Sequence, residues 1–420
     1  MNKWHRDASR GVSVPYTIFI NGTHMLTLRP HQQRITDRML AYKKGQIIVP
    51  TGGGKTLTMI VDTQRRHDAI NNGTTTVVVA PRILLAEQLC SEFLEIIDTS
   101  HTHVMHVHSG ETHHYSNTKP ANIHVFANTA RNMGENCIIF TSYHSLHRVM
   151  EADIEVNTIY FDEAHNSVQR NFFPATEFFA ENADRCYFYT ATPKHSLTVK
   201  KPGMNWGHVY GQVLVNIPAP ELVEGGYILP PKVVVKKLDI IKGRKVMYAE
   251  DCDNLLETID DNNIDKTLIC ARTTKQIMGL ISQSDFCMQL ADRGYSWMTI
   301  TSKTGAIIDG KKVNREEFFN TLNTWGKDGT KKFVVIHHSI LSEGINVSGL
   351  ESVIFMRNMS YIDISQSIGR VIRLGSTEKT FGLVCIPTYD TVGISTAKKV
   401  QAVVDVVFNQ GQPAISEIRR

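Results

Sequence analysis

Cysteine is scarce and unpatterned in these 420 residues: there are seven, Cys90, Cys137, Cys186, Cys252, Cys270, Cys287 and Cys385, and no two form a C-x-x-C pair. An odd number without metal-ligand spacing excludes a disulfide framework and a cysteine-based zinc module, and fits a reducing compartment. No apolar run approaches the roughly 18 residues of a membrane span. The polar segment Met1–Gly11 has no apolar signal region behind it. Low-complexity tracts and short-period repeats are absent. Charge of one sign is also in short supply. Lys and Arg number 45 against 41 Asp and Glu, a net charge of +4. Any grip on a polyanion must therefore come from where the charges sit rather than from their excess. Hydrophobic residues make up 42% and charged residues 20%, which excludes a disordered or collagen-like chain. The chain reads as a soluble, intracellular protein of two or three domains.

Short β-branched runs alternate with helix-like stretches. In the first half the runs are Ile47–Val49, Val77–Val79, Ile138–Phe140, Ile159–Phe161 and Cys186–Tyr189. The second half repeats the rhythm at Thr267–Cys270, Trp297–Ile300, Phe333–Ile336, Val353–Phe355 and Gly382–Ile386. Continuous apolar runs suit strands buried on both faces, and the alternation suits βαβ units. Pro218, Pro220, Gly225, Gly226, Pro230 and Pro231 punctuate a joint between the halves. The expected organisation is a short strand-bearing leader (1–27), an α/β domain (28–215), a linker (216–230), a second α/β domain (231–390) and a helical tail (391–420) with its helix near Ala397–Phe408. One stretch stands out: His101, His103, His106, His108, His113 and His114 fall within 14 residues. They read either as a metal site or as a strand end and loop that happen to be histidine-rich, and the absence of a Cys or carboxylate at a zinc spacing favours the second.

Three motifs carry chemistry. Pro50-Thr51-Gly52-Gly53-Gly54-Lys55-Thr56 follows the run at 47–49 directly. Successive glycines let backbone N–H groups turn toward a phosphate, and the helix that follows adds its dipole. In such a loop Lys55 reaches the β/γ-phosphates and Thr56 holds Mg²⁺. Val49 stands where the fuller pattern has a first glycine. Asp162-Glu163-Ala164-His165 follows the run at 158–161. One carboxylate at a strand end can hold the metal ion, and its neighbour can orient or deprotonate a water. Gln366, Arg370 and Arg373 fall at i, i+4 and i+7 of one helix, so both arginines share a face. Arg stays charged and pairs phosphate bidentately. Gly369 within that helix costs about 1 kcal/mol relative to Ala and points to a close approach.

Together these motifs resemble the superfamily 2 helicases, specifically a DEAH-box-type DNA helicase or translocase of the restriction-motor and phage UvsW-like recombination branch. The resemblance runs from residue 29 to 373. It implies two RecA-like domains in tandem, each a mostly parallel sheet flanked by helices, with ATP bound in the cleft between them. It implies catalytic roles for Lys55, Asp162, Glu163, Arg370 and Arg373. ATP contacts would come from Gln32, Thr51, Gly52, Gly53, Gly54, Lys55, Thr56, Gly344 and Asn346, with Gln32 reading the base. Mg²⁺ would sit on Thr56 and Asp162. Ala80-Pro81-Arg82, Thr141-Ser142-Tyr143, Ala271-Arg272-Thr273 and Thr301-Ser302-Lys303 resemble nucleic-acid contacts, through Arg82, Thr141, Thr273 and Ser302. His165, Thr190, Thr192 and Gln366 would couple hydrolysis to movement. His31 replaces the more usual aromatic residue, and Asn346 replaces the more usual Asp. The implied protein is a monomeric, nucleic-acid-dependent ATPase, with DNA favoured over RNA, no membrane partner, and a place in the cytoplasm or at a nucleoid or viral replication site. It would remodel branched or duplex DNA in recombination or repair. The alternatives are an RNA-remodelling helicase and the motor subunit of a restriction system.

Overall fold

A computed structural model describes residues 17–20, 24–70, 73–110, 112–198, 200–238, 244–301, 303–338, 349–356, 361–373, 381–389, 394–404 and 416–419. The chain opens with an antiparallel pair, β1 (Thr17–Ile20) and β2 (His24–Thr27). It then builds two sheets in succession.

The first sheet holds eight strands: β3 (Lys44–Ile48), β4 (Thr75–Ala80), β5 (Thr102–Val107), β6 (Tyr115–Ser116), β7 (Asn136–Ser142), β8 (Thr158–Phe161), β9 (Arg185–Thr190) and β10 (Val213–Asn216). Their order across the sheet is β10-β3-β9-β8-β4-β7-β5-β6, and every neighbouring pair is parallel. All six residues of β4 and all four of β8 are buried. In β4, Val78 and Ala80 enter one apolar layer, while Val77 and Val79 enter the layer on the opposite face. Both faces are covered, which is why the run carries no polar alternation.

The second sheet holds nine strands: β11 (Pro231–Leu238), β12 (Lys266–Cys270), β13 (Ser296–Thr301), β14 (Gly305–Ile308), β15 (Lys311–Val313), β16 (Phe333–His337), β17 (Ser352–Phe355), β18 (Gly382–Tyr389) and β19 (Ser416–Arg419). The order is β15-β14-β13-β16-β12-β17-β18-β11-β19, parallel except for the β13-β14-β15 meander. Leu268 and Cys270 of β12 join the apolar layer shared with the first sheet, and Ile269 faces the outer one. The architecture is therefore two parallel-rich sheets flanked by helices, as in tandem RecA-like domains.

Two stretches differ from the sequence reading. Within 216–230, Ala219–Glu224 is helical, started by Pro218 and Pro220, whose fixed φ suits a first turn. In the tail the helix spans Ile394–Val403, and Ser416–Arg419 returns as an edge strand on β11. Among the described residues no helix is long and apolar enough to cross a membrane.

Candidate nucleotide and nucleic-acid site

Helix α1 (Pro30–Ala41) begins on a proline, which lacks the N–H that a first turn leaves unbonded. The next helices, α2 (Lys55–Ala69) and α3 (Ile83–Leu94), each follow a buried parallel strand. The N-cap of α2 is Gly54, in the left-handed region at φ +76°, and no side chain caps the helix. A Cβ at Gly54 would lie 2.2 Å from Gln32 Nε2, so only glycine keeps this turn. The first amides of α2 are thus left without a side-chain acceptor at a position suited to an anion.

A cavity of about 380 Å³ lies against this turn. It is lined from one side by Thr51, Gly52, Gly54, Lys55, Thr56, Asp162 and Glu163, and from the other by Gln366, Arg370 and Arg373. The helix Tyr361–Val371, which carries Gln366 and Arg370, approaches the loop closely. A Cβ on Gly369 would fall 2.4 Å from Thr51 Cβ, the close approach that the mid-helix glycine implies.

Lys55 Nζ donates to Glu163 Oε1 at 2.9 Å, and both side chains are about nine-tenths buried. Burial opposes the charge on Lys55, but Glu163 and Asp162 overcome it and hold the ammonium above its ordinary pKa. Burial likewise works against an ionised Glu163. Lys55, His165 and Arg370 outweigh it and keep this carboxyl below its ordinary value. Asp162 goes the other way: burial raises it to about 7, with Lys55 pulling against the shift. Glu163 Oε2 is buried and accepts no hydrogen bond among the described residues. The amide of Gln366 is buried with neither its oxygen nor its nitrogen so bonded.

His165 sits behind the carboxylates. Its Nδ1 lies 3.0 Å from Thr190 Oγ1 and 3.5 Å from Glu163 Oε2. Thr190 Oγ1 in turn accepts the Thr192 N–H at 3.1 Å. A continuous polar path therefore joins the carboxylate to the end of β9.

Some expectations change. Gln32 lies behind the glycine loop rather than on the cavity wall. Its Oε1 accepts the Arg29 N–H at 3.0 Å, and its Nε2 donates to Gly54 O at 3.4 Å, so both ends of the amide brace the turn. Gly53 also stays off the wall, its carbonyl bonded to His31 Nε2 at 2.9 Å. Thr141 is fully buried and donates to Val107 O at 2.9 Å, which removes its side chain from any surface contact. Arg82 and Thr273 are exposed at the starts of α3 and the helix Thr274–Gln283. Ser302, Gly344 and Asn346 lie outside the described residues.

The cavity also has walls that sequence motifs did not point to: Arg29, Glu92 and Tyr227. The Arg29 guanidinium stands 4.7 Å over the Tyr227 ring, and His31 packs on that ring at 5.2 Å. The Gln32 assignment points to this corner of the fold, but the aromatic residue comes from the joint nearly 200 residues later. Glu92 lies on α3 and stabilises the charge of Arg373, against the burial that lowers it.

The donor set fits a magnesium nucleotide. A glycine cradle, an ammonium and a hydroxyl face two buried carboxylates, one of them with an unbonded oxygen. Thr56 and Asp162 are the residues that would hold the metal ion.

Residues 25–195 match the family model described as Type III restriction enzyme, res subunit, and residues 250–375 match the helicase conserved C-terminal domain. No curated protein matches the chain. Among solved structures, it is similar to the ATP-dependent Type ISP restriction-modification enzyme LlaBIII bound to DNA, with a TM-score of 0.70 at 17% identity over 95% of this chain and 32% of that one. A nuclease-deletion mutant of the Type ISP enzyme LlaGI, in complex with a DNA substrate mimic, gives 0.67 at 18% identity over 93% and 30%. Mss116p bound to ssRNA and AMP-PNP gives 0.62 at 14% identity over 94% and 75%. At these identities the likeness is one of fold. The chain spans about a third of the length of the two restriction enzymes.

Proposed function

We propose that this chain, with its matches to the restriction res-subunit model and the helicase C-terminal model, is an ATP-hydrolysing superfamily 2 helicase that works as a DNA-directed motor and remodels branched or duplex DNA, as recombination or repair requires. One observation carries the reading: Lys55 and Glu163 from the first domain and Arg370 and Arg373 from the second line the same cavity.

ATP would lay its phosphates on the amides at the start of α2. Its negative charge would draw Lys55 out of the pair with Glu163. Thr56 and Asp162 would hold Mg²⁺, which neutralises phosphate charge when bound. Glu163, released from Lys55 and already held ionised, would accept a proton from an attacking water through its unbonded Oε2. Arg370 and Arg373 would meet the charge that develops on the γ-phosphate, and they can do so only when the domains are closed. Loss of the γ-phosphate removes that attraction. The His165–Thr190 path gives Glu163 a direct connection to the strand end from which a DNA grip would be shifted. The adenine ring would rest beside the stacked Arg29–Tyr227 pair, with Gln32 as the proposed reader of its edge.

DNA rather than RNA is supported by the match to the restriction res subunit and by two DNA-bound restriction enzymes with TM-scores above that of the ssRNA-bound protein. The test is steady-state ATP hydrolysis with no nucleic acid, single-stranded DNA, duplex DNA, forked DNA and single-stranded RNA in parallel. Stimulation by DNA alone is the expected result, and the most effective form separates a translocase from a fork remodeller. Stimulation by RNA alone overturns the substrate class, and no stimulation by any of them overturns the motor.

A further inference from the structure

The histidine-rich stretch has a feature that its spacing hides. His106, in β5, and His108, just beyond its end, stand two residues apart and so project to the same side of the strand. Glu87, one turn into α3, reaches them from a distant part of the chain. His106 Nδ1 lies 3.0 Å from His108 Nε2 and 3.5 Å from Glu87 Oε1, and His108 Nε2 lies 3.1 Å from that same oxygen. Both imidazoles are fully buried, and the carboxylate is 26% exposed.

Hydrogen bonds alone leave this triangle short of protons. His108 Nδ1 accepts the Gly110 N–H at 3.2 Å, so a neutral His108 carries its one proton on Nε2. With the proton of neutral His106 on its buried Nε2, the His108 proton can serve His106 Nδ1 or Glu87 Oε1, not both. Glu87 Oε1 is sealed from water and accepts no well-aligned hydrogen bond. A buried acceptor left in this way is costly. An ion would satisfy all three atoms together. Zinc-class ions sit about 2.0–2.2 Å from imidazole nitrogen and carboxylate oxygen, so ligands at tetrahedral angles lie about 3.3 Å from one another. The observed edges of 3.0, 3.1 and 3.5 Å bracket that spacing. Thr112 Oγ1 donates to the other carboxylate oxygen at 3.0 Å, the kind of outer contact that orients a ligand.

We propose that Glu87, His106 and His108 form a site for a divalent transition-metal ion of the zinc class, separate from the nucleotide cleft. The bound ion clips α3, whose N-cap is Arg82, to the end of β5. Loading moves the His108 proton to Nδ1, so the Gly110 amide must turn away, and the local backbone adjusts there.

The test uses the full chain, stripped with chelator, dialysed and titrated with Co²⁺ and then Zn²⁺ without nucleotide. The expected result is one equivalent of Co²⁺ with visible ligand-field bands, displaced by Zn²⁺, and a rise in melting temperature with metal. Glu87→Gln preserves size at the carboxylate corner, and His108→Ala removes a nitrogen ligand. Each should weaken Co²⁺ binding by about 100-fold or more, with far-UV circular dichroism unchanged. His113→Ala, outside the triangle, and Asp162→Asn, in the cleft, should leave the bands intact. Absence of a stoichiometric site in the parent chain overturns the proposal. So does a site that survives both Glu87→Gln and His108→Ala, or one that Asp162→Asn abolishes.

Discussion

In each domain a buried parallel strand runs into a helix through a short turn, and the two turns solve the same problem in opposite ways. After β12, Thr273 caps the helix Thr274–Gln283, its Oγ1 accepting the Gln276 N–H at 3.1 Å. The Gln276 side chain returns the bond by accepting the Arg272 N–H at 2.8 Å, and it also donates to Asp251 at 2.7 Å. This reciprocal cap satisfies the helix start from within. After β3 the turn is Gly-Gly-Gly, and α2 has no side-chain cap. Its amides wait for an acceptor from outside. The fold is repeated, but only one copy keeps its helix start open, and the difference lies in the residues that precede each helix. The second domain supplies cations instead, on the helix Tyr361–Val371 and just beyond it.

The comparison can be broken most directly at the open turn. Lys55→Ala should take ATP turnover below detection by phosphate release, and full activity would mean that this turn is not the nucleotide site. Glu163→Gln should stop turnover while a fluorescent nucleotide still binds, because its loss removes the proton acceptor and leaves the cradle. Next in size is the other half of the cleft. Arg370→Ala should lower turnover about 10³-fold, in the range of arginines that stabilise phosphoryl-transfer charge, and a small loss would place that charge elsewhere. At the closed turn, Thr273→Ala should cost about 1 kcal/mol of stability in urea unfolding, whereas no cap exists at residue 54 to be removed. The smallest effect lies at the far end of α2. Burial lowers His67 to about 4 there, while the helix Thr274–Gln283 has no histidine. Below pH 6.5 the unfolded chain takes up a proton at His67 that the folded chain refuses. Stability is therefore lost between pH 6.5 and 4. Urea midpoints at pH 7 and pH 5 should converge in His67→Gln relative to the parent.

Strands such as β4 and β8 are legible in the sequence because a strand buried on both faces must be apolar throughout. The edges are not. Lys311–Val313 and Ser416–Arg419 are strands without an apolar run, and they are defined by the partner strands they pair with. The glycine loop, the two carboxylates and the arginine helix are local patterns with local chemistry, so they show in one dimension. Glu92, Tyr227 and Glu87 do not, since each meets its partners only after distant segments pack. Gln32 marks the other limit. The motif places it near the base, and only the folded chain shows that its amide also holds the turn together.

The joint between the domains is fastened in an unexpected place. The Leu229 N–H bonds to Ile372 O at 2.6 Å, and Ile228 pairs with Arg373 as an isolated antiparallel bridge. The connection therefore lies beside the very arginine that faces the cavity. Along the second sheet, β15 lies seven strand steps from β11, about 34 Å at ordinary strand spacing. If the domains turn about the joint, the arginine rides near the fulcrum and the β15 rim swings at the end of a long arm. A small rotation there would leave the arginine almost in place while it displaced the far rim, so the two ends of the second sheet would feel one movement very differently.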